Sequence, residues 1–555
     1  MSGDISGTRI KLAADVSSVP GILFEDEHLL VVNKPAGWNT HSPASFAGEG
    51  IYDWLRHREP RWATLAIIHR LDKETSGLLV FGKTPSANRA LTEQFMRRTV
   101  RKEYRLVTRH PVKFHELTVR TGIERRGDHY VAVPQTAGGE VAETCFTRLD
   151  DSTGFVELRA VPRTGRTHQI RVHAAARGFP ILGDVLYGGE PAARLWLHAE
   201  RLTFQHPATA EPFAFHAPVN FALAPARLLR EAVIDPAETN AWRMIHGAGE
   251  LGERSCPPDD APDFYVDRLG DFLLAQSGRA PGLNQREFLR AGQARFGLRG
   301  VYHKLLNRRI RGASANDASP QRLFGEPAPE WFTLRENGVT FEVSFNEGYS
   351  VGLFLDQRDN RRRLLVNHVA AGFPLFAGDP SAATVLNVFA YTCGFSVCAA
   401  LAGAHTTSLD LSKRSLEWGR RNFALNGLNA NAHDFIFGDA FDWLRRLTKK
   451  DRAFDVVLLD PPTFSTSKSG GTFRAEQDFG RLAAAAVKLV RPGGVLFAST
   501  NAARLAPEQF LAGISHAISE GGRRVVRQHY APQPPDFPVS RAEPAYLKTV
   551  WLRLD

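Results

Sequence analysis

Two patterns of apolar and polar residues divide the chain. In the first part, short apolar runs such as residues 29–32 and 78–81 alternate with turns rich in glycine, proline and charged residues, which predicts short strands joined by turns. From Thr384 onward, apolar strand-like runs alternate with helical segments, which predicts a doubly wound α/β sheet. The sequence therefore predicts domains of two different fold classes.

The residues between these parts predict a connection and a third, small domain. Residues 221–240 are rich in alanine, leucine, arginine and proline, as in a linker, and residues 264–275 predict a hairpin that a helix follows to about residue 296. We therefore predict three domains: a first domain at 1–225, a linker with a small α+β domain that positions the substrate at 226–335, and an α/β domain at 336–555.

Composition and charge narrow the function class. Hydrophobic residues make up 43% and charged residues 23% of the chain, which are ordinary globular values. The net charge of +10 favours a polyanionic partner such as a nucleic acid, although a solubilising surface explains it equally well. Four cysteines without zinc spacing, no apolar run of 18 residues and no secretion signal predict a cytoplasmic protein with no metal and no membrane partner.

The segment HRLDKETSG at residues 69–77 places Asp72 in a polar turn before an apolar run. An Asx turn explains an isolated aspartate of this kind. The nine-residue motif, however, resembles the catalytic motif of RluA-type RNA pseudouridine synthases, and the segment NKPAGW at residues 33–38 resembles an early segment of that family. The resemblance covers about residues 20–220 and implies an α+β fold with a mixed, largely antiparallel sheet, with Asp72 as the catalytic carboxylate.

Two further segments carry the same resemblance. A basic cluster leads into Tyr104, and in the family a tyrosine at this position lies in the active site. Residues 168–173 alternate as a strand, which predicts that Arg171 faces the cleft, and the family pairs a basic residue of this segment with the catalytic aspartate. We assign that role to Arg171, with Arg166 as the weaker choice. Side chains predicted to contact RNA are Arg70, Arg97, Arg98, Arg101, Lys102 and Arg166.

The implied chemistry explains these residue types. Conversion of uridine to pseudouridine breaks a C–N bond and forms a C–C bond at the same sugar, so it needs no redox cofactor and no group donor. A carboxylate can act as a nucleophile or stabilise charge, and a nearby guanidinium keeps it ionised. The flipped uridine needs a flat side chain such as Tyr104 to receive it. Whether the carboxylate attacks the sugar or the base stays open.

In the last domain, acidic residues follow successive predicted strands. Asp410, Asp439 and Asp460 each come at the end of an apolar run, where open α/β sheets bind ligands. Asp410 suits a ribose diol and Asp439 an adenine amino group, although single aspartates at such positions are often helix N-caps.

These strand ends resemble class I S-adenosylmethionine (SAM) methyltransferases. The turn at residues 387–396, the segment at 346–361 and DPPTFSTSK at 460–468 resemble the guanine-N7, RlmI-like branch acting on large-subunit ribosomal RNA, with Cys393 where a glycine is common. The residues that this resemblance assigns to SAM are Asp356, Arg358, Asn387, Phe389, Tyr391, Gly394, Asp410, Asp439 and Asp460.

The methyl acceptor follows from an absent nucleophile. Methylation of carbon 5 of a pyrimidine needs a cysteine, and neither residues 460–463 nor residues 497–501 contain one. We therefore predict a purine nitrogen, and the resemblance to the guanine-N7 branch implies guanine N7, with Asp460 catalytic and Phe464 contacting RNA. The alternatives are a catalytically inactive half that only binds RNA, cytosine C5 or a non-RNA substrate; the choice between rRNA and tRNA for the synthase and the oligomeric state stay open.

Overall fold

A computed structural model describes residues 19–150, 154–247, 250, 263–306, 319–348, 350–467, 471–540 and 544–555. Contacts between Cα atoms divide the chain into two compact units. The first comprises residues 1–42, 50–53 and 64–235, and the second comprises residues 43–49, 54–63 and 236–555. The predicted three-domain boundaries stay a prediction. No helix of the described residues has both the length and the apolar character that a membrane crossing requires.

The first unit is built on one mixed sheet. Its strands are β1 Ile22–Glu25, β2 Leu29–Lys34, β3 Ala66–Ile67, β4 Ser76–Gly82, β5 Arg101–Thr108, β6 Glu116–Arg126, β7 His129–Val133, β8 Glu140–Asp150, β9 Val156–Pro162, β10 Leu197–Gln205 and β11 Pro212–His216. The order is β1-β2-β4-β10-β5-β9-β8-β6-β7, with β3 paired to β4 and β11 to β10. Among the described strands of this sheet only the β4–β10 pair is parallel, so the predicted mixed, largely antiparallel sheet is confirmed.

Four helices accompany this part of the chain: α1 Ile51–Arg58, α2 Pro85–Met96, α3 Gln169–Ala176 and α4 Pro225–Val233. Strand β4 is buried at all seven residues, because its apolar side chains meet core on both faces of the sheet. Thr84 caps α2 by accepting the Ala87 N–H, and Pro85 fills the first helical position.

One prediction for this unit is wrong. Residues 169–173 form helix α3 instead of a strand, because Ile170 and Ala174, four residues apart, pack into one core cluster. The alternation that indicated a strand runs over only six residues, which is too short to distinguish the periodicity of a strand from that of a helix. The predicted linker at 221–240 contains helix α4.

The second unit begins with a small sheet of order β12-β13-β14-β15-β16. Its elements are β12 Ala241–His246, β13 Phe264–Leu269, β14 Phe272–Ser277, α5 Leu283–Phe296, β15 Gly300–Leu305 and β16 Gln321–Gly325. Helix α5 connects the parallel strands β14 and β15, as a crossover helix does. The hairpin of β17 Phe332–Glu336 and β18 Val339–Val343 follows.

The larger sheet of this unit has the order β21-β20-β19-β22-β25-β27-β26. Its strands are β19 Thr384–Val388, β20 His405–Asp410, β21 Asp434–Phe437, β22 Phe454–Leu459, β25 Val490–Thr500, β26 Val525–Ala531 and β27 Lys548–Leu554, and β23 Phe464–Ser467 pairs with β24 Gly471–Arg474 in a separate hairpin. Its helices are α6 Arg358–Leu365, α7 Gly394–Leu401, α8 Lys413–Leu425, α9 Ala440–Lys449, α10 Ala475–Val487 and α11 Pro507–Glu520.

The pairing confirms the predicted α/β fold. Within this sheet β19, β20, β21, β22 and β25 are parallel, and β27 is antiparallel to both β25 and β26. The strand order reverses beside β19, which lies between β20 and β22. In open α/β sheets such a reversal creates a crevice at the carboxyl ends of the strands, where ligands bind.

Candidate active sites

The loop that presents Asp72 is fixed from within the first unit. Lys34 is fully buried, and its Nζ donates to the carbonyl oxygens of Pro35, Trp38 and Lys73 at 2.9, 2.7 and 3.1 Å. Burial lowers the pKa of Lys34 to about 7. The Thr40 hydroxyl donates to the Leu71 carbonyl oxygen at 2.8 Å. The segment at 34–40 therefore holds the backbone on both sides of Asp72.

Gly77 closes the same loop against the sheet. It has a φ of +120° and lies opposite Ala199 in the parallel β4–β10 pair. A Cβ atom at this position would lie 2.3 Å from the Ala199 carbonyl oxygen. The last glycine of the HRLDKETSG motif is therefore required for this close approach of two strands.

Tyr104 and Asp72 interact electrostatically in the structure. Tyr104 lies on β5, and burial together with the negative charge of Asp72 raises its pKa. Asp72 itself keeps 31% of its side chain exposed. A partly buried, neutral phenol beside an accessible carboxylate suits a site that receives a planar base.

Arg171 does not form the direct ion pair with Asp72 that the sequence predicts. Its Nε and Nη2 donate to the two carboxylate oxygens of Asp184 at 2.8 and 2.7 Å, and both side chains are buried. Burial opposes the charge on Arg171, but Asp184 outweighs it and raises the pKa, with a smaller contribution from Asp72. Arg171 therefore acts on Asp72 only through its longer-range charge in this structure.

His168 is the residue of this site that the sequence analysis missed. Its Nε2 lies 3.9 Å from Asp72 Oδ2, and its backbone has a φ of +55°. The other two histidines of the motif segments have structural roles. His69 and His173 do hydrogen-bond to the sheet, to the Val80 N–H and to threonine hydroxyls respectively. The contact of His168 depends on its left-handed backbone, which sequence pattern does not reveal.

Most of the arginines predicted to contact RNA are exposed. Arg70, Arg97, Arg98 and Arg101 have exposed side chains, whereas Lys102 and Arg166 are partly buried. Burial lowers the pKa of Lys102, and Arg166 pairs with Glu140 at 2.9 Å. Whether these residues bind RNA stays a prediction.

The second site is a cavity of about 310 Å³ at the carboxyl ends of β19, β20 and β22, a size typical of small-molecule sites. Val388 pairs with Leu409 on one side and Leu459 on the other, so the residues that follow these strands lie side by side. Of the predicted cofactor residues, those that line the cavity are Asp356, Phe389, Tyr391, Gly394, Asp410, Asp439 and Asp460.

The turn after β19 is strained and shaped for a ligand. Phe389, Tyr391 and Cys393 all have positive φ, at +64°, +47° and +62°, a conformation that side chains other than glycine rarely adopt. Asp410 fixes the turn, since its two carboxylate oxygens accept the N–H groups of Tyr391 and Ser412 at 2.8 Å each. A carboxylate oriented in this way can accept hydrogen bonds from a ribose diol.

Asp460 stands at the opposite wall of the cavity. Gln357 Nε2 donates to Asp460 Oδ1 at 3.1 Å and to Ser499 Oγ at 2.8 Å. Burial, and to a lesser degree the charge of Asp356, raises the pKa of Asp460 to about 6. The carboxyl of Asp356 accepts the Tyr546 hydroxyl at 2.9 Å, and burial raises its pKa as well. The carboxyls of Asp356 and Asp460 therefore lie in the same part of the cavity wall, where they are shielded from solvent.

Two predicted cofactor residues lie outside the cavity lining. Arg358 is buried and forms two hydrogen bonds with Asp536, which fix the start of α6. The buried Asn387 Nδ2 donates to Ser396 Oγ at 2.9 Å. Contact of these two residues with SAM stays a prediction, and in this structure neither is among the residues that line the cavity. Phe464, predicted to contact RNA, is 46% exposed.

The cavity fits SAM. Four carboxylates line it, at Asp356, Asp410, Asp439 and Asp460, and SAM carries a positive sulfonium and a positive ammonium group. Opposite charges attract strongly in a partly desolvated site. The sheet order, the cavity at its switch point and this lining define a class I methyltransferase, while the loop of Asp72 on a mixed sheet defines a second, separate catalytic unit.

Comparison with known proteins identifies both halves. The family model of RNA pseudouridylate synthase matches residues 28–176, and that of S-adenosylmethionine-dependent methyltransferase matches residues 285–553. The chain is 32% identical over 324 residues to a ribosomal RNA large subunit methyltransferase of Deinococcus radiodurans, which covers 57% of this chain and 73% of that protein. It is 38% identical over 218 residues to ribosomal large subunit pseudouridine synthase C of Salmonella typhimurium, with 36% and 67% covered.

The crystal structure of SMU.776 complexed with SAH is 28% identical in sequence, with a TM-score of 0.47 and coverage of 57% of this chain and 75% of that chain. The chain belongs to the RNA pseudouridylate synthase family through its first unit and to the SAM-dependent methyltransferases through its second. It carries both enzyme activities, and the recognition of both families from sequence motifs is confirmed.

Proposed function

We propose that this chain is a bifunctional enzyme of ribosomal RNA, which converts a uridine to pseudouridine in its first unit and methylates guanine N7 in its second. The printed names of the relatives support the substrate class, since one is a ribosomal RNA methyltransferase and the other a ribosomal large subunit pseudouridine synthase. We infer that the synthase reaction needs no cofactor, because it exchanges a C–N bond for a C–C bond at the same sugar without a redox change or an external group donor.

The position of the cysteines in the structure supports guanine N7 as the methyl acceptor. Among the described residues that line the cavity there is no cysteine. Cys393 and Cys398 are buried behind the lining, and burial raises the pKa of Cys393 to about 12 and that of Cys398 still further. Methylation of a pyrimidine carbon needs a thiolate in contact with the ring. A purine nitrogen carries its own lone pair and needs none.

Asp460 supplies what a guanine acceptor requires. A methyl group on N7 leaves a positive charge on the purine, and a fixed carboxylate stabilises that charge as it develops. SAM, when bound, supplies the electrophilic methyl group. We assign its binding to Asp410 and Asp439, and we assign stacking or edge contacts with the target base to the exposed Phe464.

In the first unit we propose Asp72 as the catalytic carboxylate and Tyr104 as the side chain that receives the flipped uridine. The exposed guanidinium groups of Arg97, Arg98 and Arg101 lie immediately before and at the start of β5, which carries Tyr104. They can therefore contact phosphates next to the flipped nucleotide.

The test is mass spectrometry of nucleosides from unmodified ribosomal RNA and transfer RNA after incubation with the purified chain and methyl-labelled SAM. We expect pseudouridine and labelled 7-methylguanosine in ribosomal RNA. Labelled 5-methylcytidine would contradict the acceptor, and pseudouridine in transfer RNA alone would contradict the substrate of the first unit. A product of one kind only would support the alternative that the other half merely binds RNA.

A further inference from the structure

His168 occupies a strained and well-defined position beside Asp72. It precedes helix α3 with a φ of +55° and a ψ of +17°. This left-handed backbone conformation is energetically unfavourable for any residue other than glycine. Its side chain is only 19% exposed. Strain of this kind persists when surrounding contacts fix the residue, and it often marks a functional position.

The other nitrogen of the ring has a fixed partner. His168 Nδ1 lies 2.7 Å from the hydroxyl of Tyr187, and the two rings are nearly perpendicular at 87°. The same hydroxyl accepts the backbone N–H of Tyr130 at 3.1 Å. Arg171, paired with Asp184, lies over the ring of Tyr187 with its guanidinium carbon 5.0 Å from the ring centroid, which holds the phenol in place.

These contacts select one tautomer of the imidazole. Among the described residues, the partners of the Tyr187 hydroxyl are the Tyr130 N–H and His168 Nδ1, so the phenolic proton has Nδ1 as its acceptor. Nδ1 is then unprotonated and the ring proton lies on Nε2, the atom 3.9 Å from Asp72 Oδ2. Burial lowers the pKa of His168, which keeps the ring neutral and this arrangement populated.

We propose that His168 is a positioning residue of the synthase site, which directs its Nε2–H at the Asp72 carboxylate, and that Tyr187 selects the tautomer that makes this possible. The distance of 3.9 Å is longer than a hydrogen bond, and catalytic hydrogen bonds commonly shorten when the substrate binds. The Nε2–H aims Asp72 at the nucleotide and stabilises its anion. It does not act as the base, because the proton-accepting nitrogen is occupied by Tyr187.

The proposal rests on the synthase activity of the first unit and has a kinetic test. Single-turnover rates of pseudouridine formation are measured on a ribosomal RNA substrate with the full chain and with His168→Asn, His168→Gln and Tyr187→Phe. Asparagine tolerates the left-handed backbone but places its amide near Nδ1, whereas glutamine places a donor near Nε2. Tyr130→Phe is the matched control, because its backbone and not its hydroxyl contacts Tyr187.

We expect His168→Asn to slow the chemical step about 10- to 100-fold, as loss of an orienting partner does, with unchanged RNA affinity and melting temperature. His168→Gln should recover part of the rate, Tyr187→Phe should be slowed less, and the double variant His168→Asn with Tyr187→Phe should match His168→Asn. Tyr130→Phe should match the wild type. A rate of His168→Asn within about twofold of the wild type, or a loss that follows a lower melting temperature, would overturn the proposal.

A spectroscopic measurement separates this proposal from the activity itself. In ¹⁵N-histidine NMR of the RNA-free chain, the His168 signals, identified by their loss in His168→Asn, should show a protonated Nε2 and an unprotonated Nδ1. The opposite tautomer, or a doubly protonated ring at pH 7.5, would overturn the proposal. Because the spectrum requires no turnover, it decides the tautomer even if the wild type forms no pseudouridine, a result that would instead contradict the proposed function.

Discussion

Replacement of Asp460 by asparagine should abolish methyl transfer and at the same time stabilise the second unit at neutral pH. The reason lies in the burial of this carboxyl, which raises its pKa from 3.8 to about 6. Asparagine has nearly the same shape, and its amide oxygen can still accept a hydrogen bond from Gln357, as the Asp460 carboxyl does. The variant therefore removes a charge without removing a side chain.

The sign and the size of the effect follow from proton linkage. Between pH 3.8 and about 6 the folded protein binds more protons at Asp460 than the unfolded chain does, so this group lowers stability as the pH rises. This difference in pKa lowers the free energy of unfolding by about 1 to 2 kcal/mol at pH 5 and by about 3 kcal/mol at pH 7.5, and the loss stays constant above that. For a unit of this size about 3 kcal/mol corresponds to a shift of a few degrees in melting temperature.

The assay is thermal unfolding of the full chain and of Asp460→Asn at pH 5 and pH 7.5. We expect the variant to melt higher at both values, with a gain about twice as large at pH 7.5. Asp442→Asn, an exposed position on α9, serves as the control. Its change in melting temperature should be the same at pH 5 and at pH 7.5. Methyl transfer by the wild type should fall as the pH drops below about 6, because the carboxyl becomes protonated. A variant that is less stable at pH 7.5, or a gain that does not depend on pH, would refute this reasoning.

Three further predictions concern packing, RNA affinity and the acceptor. Gly77→Ala should destabilise the first unit by about 2 to 4 kcal/mol in thermal or urea unfolding, because its Cβ would lie 2.3 Å from a carbonyl oxygen of β10. Arg101→Ala should reduce the slope of log affinity for RNA against log salt by about 0.7 to 0.9 in a binding titration, as loss of one phosphate contact does. Cys393→Ala and Cys398→Ala should keep methyl transfer within about fivefold of the wild type in a labelled-methyl assay, since neither thiol lines the cavity.

Each of these predictions has a result that would contradict it. Gly127 also has a positive φ but open space at its Cβ, so Gly127→Ala measures backbone strain alone and should cost about 1 kcal/mol. Equal losses at Gly77 and Gly127 would show that the close approach to β10 is not the cause. An unchanged salt slope for Arg101→Ala would remove this residue from the RNA contact. Loss of methyl transfer in a cysteine variant that still binds SAM would restore a pyrimidine carbon as the acceptor.

The sequence predicted the two folds well because their signals are repeated along the chain. Strand β4 is an uninterrupted apolar run, and Asp410 and Asp460 recur at equivalent strand ends, so each motif supports the others. Local contacts were harder to predict. Arg171 turns toward Asp184 because residues 169–176 form a helix. The six residues that alternate here are compatible with a strand as well as with a helix, so the sequence pattern does not reveal this contact.

The supporting contacts of the synthase site could not be predicted from sequence, for a physical reason. Lys34 and Lys73 are 39 positions apart, and the link between them is a hydrogen bond to a backbone carbonyl, for which any residue at position 73 could serve. His168 depends on a single left-handed φ angle. Contacts that depend on backbone atoms or on unusual dihedral angles cannot be predicted from the pattern of residue types.

The measurement that tests the two-enzyme account most directly is nucleoside mass spectrometry of one ribosomal RNA preparation treated with the wild type, Asp72→Asn or Asp460→Asn, with SAM present throughout. The account predicts that Asp72→Asn loses only pseudouridine and that Asp460→Asn loses only 7-methylguanosine, while both variants remain folded. Pseudouridine that persists in Asp72→Asn, or 7-methylguanosine that persists in Asp460→Asn, would contradict the assignment of that residue as the catalytic carboxylate of its unit.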